Sequence, residues 1–369
     1  MSNNLYRLSD ICSPKQWKTI SMNQLTDEGY PVYGANGIIG YYSEYTHTEE
    51  TILITCRGAT CGEINICQPY SYVTGNAMAL DSLDKEKVDL KYLYYYLKYR
   101  GFKDVISGSA QPQITRNNIS KIKIYLPDKN RQMLISRILD KAQELIDKRK
   151  AQIEALDQLT QSVFLEMFGN LKGEKVPLSE LCYINPSKKE IENIDKELPV
   201  TFLPMANVSE NGELDLSETR LIKEVFEGFT YFREGDILFA KITPCMENGK
   251  GAIARNLINN IGFGSTEFHV LRPKENVNST WLYYLTSLQS FRKQAEANMT
   301  GSAGQKRVPK QFFSKYKVVL PPIELQNQFA EIVHKIQSQK EIMKKSLEEL
   351  ENNFNSLMQR AFKGELFND

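Results

Sequence analysis

The sequence has no long apolar run. Nowhere does it reach the roughly 18 to 20 consecutive apolar residues that a membrane span needs. The polar start MSNNLYRLSD also lacks the hydrophobic core of a secretion signal. We therefore expect a cytoplasmic protein with no membrane partner.

Cysteine and histidine are sparse and scattered. The closest cysteines, Cys56, Cys61 and Cys67, have neither the CxxC spacing of a redox pair nor that of a zinc site. The three histidines lie far apart, and none neighbours a candidate nucleophile. A histidine such as His269, inside the run STEFHVLR, is more typical of a packed or surface residue than of a ligand. We expect free thiols, no metal site and no catalytic residues.

Two nucleotide-chemistry motifs are also missing. The sequence has no phosphate loop of the GxxxxGK[ST] kind. The nearest match to an adenine methyltransferase motif is Asn185-Pro186-Ser187, which lacks the aromatic residue that would stack on a flipped base. We interpret that tripeptide as a turn and predict that the chain is not itself an enzyme.

The chain also lacks a strong net charge, because 46 basic and 45 acidic residues give a formal value of +1. A free-standing nucleic-acid binder usually carries a large positive excess. Local charge is more informative. Six basic residues face only Asp104 between 98 and 123, and seven face only Glu296 between 292 and 317.

The two basic segments belong to an internal repeat. The stretch GSAQPQITRNNISKIKIYLPDKNRQ, residues 108–132, resembles GSAGQKRVPKQFFSKYKVVLPPIELQ, residues 301–326, and most of the match has a shift of 194. A second match, between LSDIC at residues 8–12 and LSELC at residues 178–182, has a shift of 170. The second copy is therefore longer by 194 − 170 = 24 residues, which lie in its interior. The first copy has LPDKNRQ where the second has LPPIELQ, so we expect a less regular start to its helix.

The interiors of the two copies show no shared sequence pattern. Both contain short β-branched and aromatic runs, such as ETILITC, GDILFAKI and STEFHVLR, separated by Gly, Pro and Asn. This pattern is typical of strands joined by tight turns. Each interior is followed by a Tyr/Leu-rich helical segment, the basic loop, one strand and a proline.

A long heptad helix follows each proline. Each would span about 60 Å at about 40 residues, and the apolar a/d positions are typical of a coiled coil. The simplest partner for each helix is the other copy, arranged antiparallel; an ordinary helical hairpin is the alternative. Arg149, Thr160 and Lys340 interrupt the apolar pattern. The predicted helix–helix contacts are Ile135, Leu139, Ile146, Ile153, Leu156, Val333, Ile336, Met343, Leu347 and Leu350.

Over essentially its whole length, the chain resembles the specificity subunit of a type I restriction-modification system. The residues that carry this resemblance are PVYGANGIIGYYSEYT and ILITCRGATCGEI in the first interior, GDILFAKITPCMENGKGAI and GFGSTEFHVLRP in the second, and the duplicated GSA-to-proline segments. The resemblance implies an α+β fold with two β-rich target-recognition domains separated by two long antiparallel coiled-coil helices. The expected boundaries are 1–128 and 173–322 for the recognition domains, and 129–172 and 323–369 for the helices.

The resemblance also implies partners. They are double-stranded DNA, two methyltransferase subunits docked on the helices, and ATP-dependent translocating nuclease subunits. S-adenosylmethionine, ATP and Mg²⁺ would then be bound by those subunits, and this chain would hold no cofactor. Because the interiors differ, we expect a bipartite, asymmetric DNA site with one half-site per recognition domain, which directs adenine methylation or cleavage by the partners.

Base reading requires Arg or Lys for guanine and Asn or Gln for adenine, and hydroxyl or backbone groups contact phosphates. Two alternatives exist for individual residues: Asn36-Gly37 also fits a hairpin turn, and Lys250 fits solvated surface. The candidate DNA contacts are Tyr33, Asn36, Arg57, Ser109, Gln111 and Arg116 in the first copy, and Lys241, Thr243, Glu247, Asn248, Lys250, Ser302, Gln305 and Arg307 in the second.

Other functions fit the same pattern. The chain could serve a methyltransferase-only assembly, or a nuclease that cuts on both sides of its site. It could also be a bivalent scaffold whose coiled coil spaces two protein-binding modules, which the near-neutral charge allows. DNA affinity that falls steeply with salt would separate a DNA reader from a scaffold.

Overall fold

The computed structural model describes residues 4–108, 111–302 and 304–367, which form two compact units. The first unit contains the described residues up to 151 together with those from 345 onward, and the second unit contains residues 152–344. Each long helix therefore contributes one part to each unit. The predicted domain boundaries at 128, 172 and 322 stay predictions.

The first unit is built mainly of short strands. Its strands are β1 (Leu5–Arg7), β2 (Ser13–Gln16), β3 (Tyr30–Gly34), β4 (Gly37–Tyr42), β5 (Thr51–Thr55), β6 (Ile64–Cys67), β7 (Tyr72–Val73), β8 (Ala77–Asp81), β9 (Ile106–Ser107), β10 (Gln113–Ile114) and β11 (Lys123–Tyr125). Its helices are α1 (Leu90–Arg100), α2 (Arg116–Ile119), the first part of α3 (Lys129–Phe168) and the end of α9 (Ile323–Lys363).

The second unit has a similar order of elements. Its strands are β12 (Lys175–Pro177), β13 (Cys182–Ile184), β14 (Pro199–Leu203), β15 (Thr219–Leu221), β16 (Thr230–Arg233), β17 (Ile237–Ala240), β18 (Gly251–Ile253), β19 (Ile261–Gly264), β20 (Phe268–Pro273) and β21 (Lys317–Val319). Its helices are α4 (Leu178–Leu181), α5 (Ile222–Val225), α6 (Ser279–Ser287), α7 (Gln289–Ala297), α8 (Lys310–Lys315), the end of α3 and the first part of α9 (Ile323–Lys363).

The two units share one sheet topology although their interiors differ in sequence. A four-stranded antiparallel sheet has the order β2-β8-β5-β6 in the first unit and β13-β20-β17-β18 in the second. A second sheet contains an antiparallel hairpin and one parallel pair, β3 with β7 or β14 with β19. A small two-stranded sheet, β1-β11 or β12-β21, joins the two ends of each repeat. The predicted α+β class with an internal repeat is confirmed.

The extra length of the second copy has a clear location. A two-residue turn, 35–36, joins β3 to β4, whereas residues 204–218 join the equivalent strands β14 and β15. The second unit also has β16 paired with β19, where the described residues of the first unit form an isolated bridge between His47 and Ser71. The additions extend the edge of the second sheet and leave the strand order unchanged.

The long helices pair antiparallel inside each unit. In the first unit, Leu139 and Ile146 near the start of α3 share a core with Phe354 and Met358 near the end of α9. In the second unit, the Phe164 ring near the end of α3 lies 5.3 Å from the Phe329 ring near the start of α9. The early part of one helix thus meets the late part of the other in both units, as antiparallel helices must.

The predicted helix contacts differ in burial along the helices. Ile135, Leu139, Ile146, Val333 and Ile336 are buried. The other five are only partly buried: Ile153, Leu156, Met343, Leu347 and Leu350. Of the polar interruptions, Lys340 is 4% exposed and its ammonium donates to both carboxylate oxygens of Asp157, at 2.7 and 2.9 Å.

A buried glutamine at the start of each long helix explains part of the repeated sequence. Gln132 accepts a bond from the Asp89 N–H at 2.9 Å and donates to the carbonyls of Lys87 and Pro127. Gln326, its equivalent at the shift of 194, accepts from the Asn278 N–H at 2.8 Å and donates to two carbonyls in the same way. Each glutamine therefore fixes the strand-rich part of its unit to the start of its long helix through backbone groups.

The first long helix begins regularly, so the expected irregular start is wrong. Asp128 accepts a bond from the Arg131 N–H at 3.0 Å, and its carbonyl accepts from the Gln132 N–H. An aspartate in this position satisfies an unpaired N–H of the first turn and favours helix initiation. In LPDKNRQ the capping residue Asp128 stands where LPPIELQ has its second proline.

Candidate nucleic-acid interface

Two loops of the first unit lie side by side where β5 ends. The loop 56–63 follows β5, and the segment 106–114 contains β9 and β10. Arg57 forms a backbone bridge to Gln113, and the Ile114 N–H donates to the Cys56 carbonyl at 3.0 Å. We refer to residues 56–63, 106–108 and 111–114 as the first two-loop platform.

The second unit repeats this arrangement where β17 ends. The loop 241–250 follows β17, and the segment 300–307 lies against it through a backbone bridge between Ile242 and Arg307. The Thr243 N–H donates to the Lys306 carbonyl at 3.0 Å. Residues 241–250, 300–302 and 304–307 form the second two-loop platform. Its loops contain all eight candidate DNA contacts of the second copy.

Most candidates of the first copy are exposed on or next to the first platform. Arg57, Gln111 and Arg116 are exposed, and Arg116 begins α2 directly after the capping residue Thr115. Asn36 is exposed in the two-residue turn between β3 and β4, so the hairpin interpretation is confirmed. The Thr60 hydroxyl donates to the Asn36 side-chain oxygen, which joins this turn to the loop 56–63.

Two candidates of the first copy stand apart. Tyr33 is buried, with 9% of its surface exposed, and its hydroxyl accepts a bond from the Gln68 N–H at 3.3 Å. Its packing in the sheet accounts for this residue without a base contact. Ser109 lies outside the described residues, so its role stays a prediction.

The candidates of the second copy divide into exposed and engaged side chains. Glu247, Asn248, Ser302 and Gln305 are exposed, and Lys241, Thr243, Lys250 and Arg307 are half-buried. The Thr243 hydroxyl donates to Glu247 at 2.8 Å, and the Lys250 ammonium donates to the Met205 carbonyl at 3.2 Å. The structure thus brings all eight onto one platform, and their individual contacts with DNA stay predictions.

An acidic residue that the sequence analysis did not single out reduces the positive charge of the second platform by pairing with Arg307. Glu267, just before β20, accepts bonds from the Arg307 Nε and Nη2 groups at 2.9 and 2.8 Å. The hydrogen bonds from Arg307 lower the pKa of the Glu267 carboxyl. Burial lowers the pKa of Lys241, and the nearby Glu267 partly opposes that shift. The sequence does not reveal this ion pair, because Glu267 and Arg307 are 40 residues apart in the chain and meet through the tertiary fold.

Arg292 belongs to the second basic segment of the sequence, but its side chain is buried beneath the second platform. Its guanidinium donates to the Met246 carbonyl at 2.7 Å and lies 4.8 Å from the centre of the Phe239 ring. Burial lowers the pKa of Arg292 to about 10. This arginine therefore supports the loop 241–250 from below. The available sequence signal was its spacing, because Arg292 lies three residues before the buried Ala295 and shares that face of α7.

The remaining polar groups form structural contacts. His269 is buried between the Val308 carbonyl, 2.7 Å from Nε2, and the Asn185 amide, 3.1 Å from Nδ1. Asn185 has a left-handed backbone, with φ of 55°, as expected for a turn. Among the described residues no group of three or more Cys, His, Asp or Glu side chains could hold a metal ion. Within the same part of the chain, no helix is long and apolar enough to cross a membrane.

Comparison with known proteins gives a consistent result. The family model for the type I restriction modification DNA specificity domain matches residues 3–156 and again residues 170–352. The EcoAI specificity subunit of Escherichia coli is 42% identical over 156 residues, which is 42% of this chain and 26% of that protein. The MjaVIII specificity subunit of Methanocaldococcus jannaschii is 23% identical over 365 residues, covering 90% of this chain and 84% of its own length.

The matches to the EcoAI and EcoEI specificity subunits of Escherichia coli are partial. The aligned segment spans about a quarter of the length of the EcoAI and EcoEI specificity subunits, at 26% and 25%. A solved type I S subunit from M. genitalium matches 99% of this chain and 96% of its own chain, with a TM-score of 0.55 at 16% identity. That similarity supports the fold.

Proposed function

Because the chain belongs to the family of type I restriction-modification DNA specificity proteins, we propose that it is the DNA-reading subunit of such a complex. Each unit reads one half-site of a bipartite, asymmetric sequence in double-stranded DNA. The reading directs adenine methylation or cleavage by partner subunits. This chain contributes recognition, and the chemistry belongs to those partners.

One observation carries the proposal. The same two-loop platform is built twice on one topology, from residues that differ between the two copies. A reader of two unlike half-sites requires this combination, because a common frame sets the approach to the duplex and the variable side chains select the bases. The exposed basic residues on or beside the platforms, Arg57, Arg116 and Lys306, supply the attraction to phosphates.

The proposed partners follow from the family. Two methyltransferase subunits dock on the paired helices α3 and α9, and translocating nuclease subunits join that core. S-adenosylmethionine is held by the methyltransferase subunits, and ATP and Mg²⁺ are used by the nuclease subunits.

Exchange of the first recognition fold tests the division of labour. Residues 1–128 are replaced by the same segment of another family member, the chimera is co-expressed with its methyltransferase subunit, and methylated genomic DNA is sequenced. The Gln132 side chain bonds the backbone at Lys87, Asp89 and Pro127. Because these bonds go to backbone groups, the segment from another family member can form the same hydrogen bonds with Gln132 although its side chains differ.

We expect the methylated sequence to change in one half and to keep its other half. A simultaneous change in both halves would contradict one half-site per unit. In a parallel binding assay with the wild-type complex, affinity for duplex DNA should fall steeply as salt rises, because phosphate contacts release counterions. A protein-binding scaffold would show no such DNA binding, and that result would overturn the proposal.

A further inference from the structure

The two platforms place one side chain at the same backbone position. In the first unit Gln113 forms the bridge to Arg57, and in the second Arg307 forms the bridge to Ile242. In both units the next residue is buried, and its N–H bonds the adjacent loop, at 3.0 and 2.9 Å. The two residues are also related by the shift of the repeat, since 307 − 113 = 194. Gln113 and Arg307 are therefore structural equivalents.

Arg307 is held in one orientation. Its Nε and Nη2 groups donate to the two carboxylate oxygens of Glu267, and Nη1 donates to the Gln305 carbonyl at 3.1 Å. A guanidinium has five N–H donors, and these bonds among the described residues use three of them. One donor on each terminal nitrogen is left for a further acceptor, and 42% of the side chain is exposed. The guanidinium is therefore held by Glu267 and Gln305 with a donor still available on each of its terminal nitrogens.

The ion pair with Glu267 decides which acceptor suits this guanidinium. The carboxylate cancels much of the arginine charge, which weakens any attraction to a phosphate. It leaves the directional donors in place, and a guanine edge offers two uncharged acceptors, O6 and N7, at matching spacing. Neighbouring Lys306 is exposed and, unlike Arg307, is suited to contact phosphate.

The equivalent position in the first unit has different chemistry. Gln113 is exposed, and its backbone carbonyl is held by the Ser107 hydroxyl at 3.3 Å. A glutamine amide offers one donor and one acceptor, which match N7 and the N6 amino group of adenine. A half-buried arginine and an exposed glutamine at the same place in the framework thus offer the hydrogen-bonding groups that suit guanine and adenine respectively.

We propose that this position reads one base pair in each half-site, with Arg307 selecting guanine and Gln113 selecting adenine in the major groove. This inference rests on the proposed function and adds the base that each unit requires at one position. Glu267 acts on specificity indirectly, as the residue that orients Arg307.

Reciprocal substitutions test the inference in the full chain with its methyltransferase subunit. Arg307→Gln should replace guanine by adenine at one position of the second half-site, and Gln113→Arg should replace adenine by guanine in the first. Lys306→Gln is the matched control, because it removes the same charge from the adjacent exposed residue. Sequencing of methylated genomic DNA reads all three motifs at once.

Competition binding measures the size of the effect. Wild-type complex should prefer its own duplex over one with the critical guanine changed to adenine by about 5- to 150-fold, the range for one bidentate pair. Arg307→Gln should abolish or invert that preference. Lys306→Gln should weaken binding to both duplexes equally and keep the preference. Glu267→Gln should reduce the preference while Arg307 remains.

The outcomes separate the two proposals. If the wild-type motif is bipartite and both reciprocal variants keep it, the base assignment is wrong and the proposed function stands. If Arg307→Gln weakens binding to all duplexes equally, as Lys306→Gln should, Arg307 contacts phosphate and the inference fails. If wild-type complex methylates no bipartite motif, both proposals fail. Gln113→Arg alters an exposed residue without breaking an ion pair, so its motif is informative even if Arg307→Gln misfolds.

Discussion

Replacing Gln326 by leucine should destabilise the second unit strongly, because this side chain satisfies three backbone groups. It is fully buried, accepts a bond from the Asn278 N–H and donates to the carbonyls of Asn276 and Pro321. Leucine has a similar volume but offers no polar atom. An unsatisfied buried group costs about 1–3 kcal/mol; the bond to Pro321 is buried and the other two are partly buried, so the three together cost about 3 kcal/mol. Since single substitutions rarely exceed about 4–5 kcal/mol, we expect a loss of about 3–5 kcal/mol.

Tryptophan fluorescence can isolate the second unit in a urea titration. The protein has two tryptophans, Trp17 in the first unit and Trp281 in the core of the second. In a Trp17→Phe background, the signal from Trp281 reports the second unit alone. With a slope of about 3 kcal/mol per molar urea, the expected loss lowers the unfolding midpoint by at least about 1 M.

The control is Gln328→Leu, which changes an exposed glutamine two residues further along the same helix. Exposed substitutions of this kind usually stay within about 0.5 kcal/mol. If Gln326→Leu shifts the midpoint no more than Gln328→Leu does, the three backbone bonds do not hold the fold to the helix. The structural explanation of the repeated sequence would then be wrong.

Two further predictions concern buried ionisable groups of the second unit. Asp157→Asn should lower the free energy of unfolding by about 1–2 kcal/mol, which is less than the loss on breaking a fully buried ion pair because Asp157 is 38% exposed. Lys340→Met should be neutral or stabilising, because it removes the charge that needs a partner. Equal losses for the two variants in urea titrations would refute this expectation. Burial lowers the pKa of His269 from 6.5 to about 4, so the unfolded state takes up the proton first as pH falls. The contribution of His269 to stability should fall by about 3 kcal/mol from pH 6.5 to pH 4 and level off below that. His269→Gln can keep both hydrogen bonds but has no group that titrates, so the plot of its stability against pH should lack this drop. An equal drop in the variant would show that His269 is not its cause.

Much of the architecture could be predicted because it is written in local periodicity and self-similarity. The seven-residue spacing of Leu139 and Ile146 predicts a helix with one buried face whatever the rest of the chain does. The runs that form β5, β17 and β20 alternate or cluster apolar residues as strands do, and all three strands are confirmed. The shift of the repeat between the basic segments needed only the printed sequence.

The shared topology of the interiors could not be predicted from the sequence. The two interiors bury different side chains at equivalent strands, since a sheet requires backbone pairing and a correct polar pattern rather than particular residues. The parallel pairs β3–β7 and β14–β19 join segments that are distant in the chain. No local pattern in either segment specifies such a partner.

The sequence alone therefore determined that the protein has two related recognition folds, two long paired helices and two basic segments. Only the tertiary structure decided which polar residues act together. It buried Tyr33 and Arg292, joined Lys250 to a distant carbonyl and set Glu267 beside Arg307, 40 residues away. The physical reason is that periodicity is a property of neighbouring residues, whereas a binding surface depends on which distant backbone segments pair.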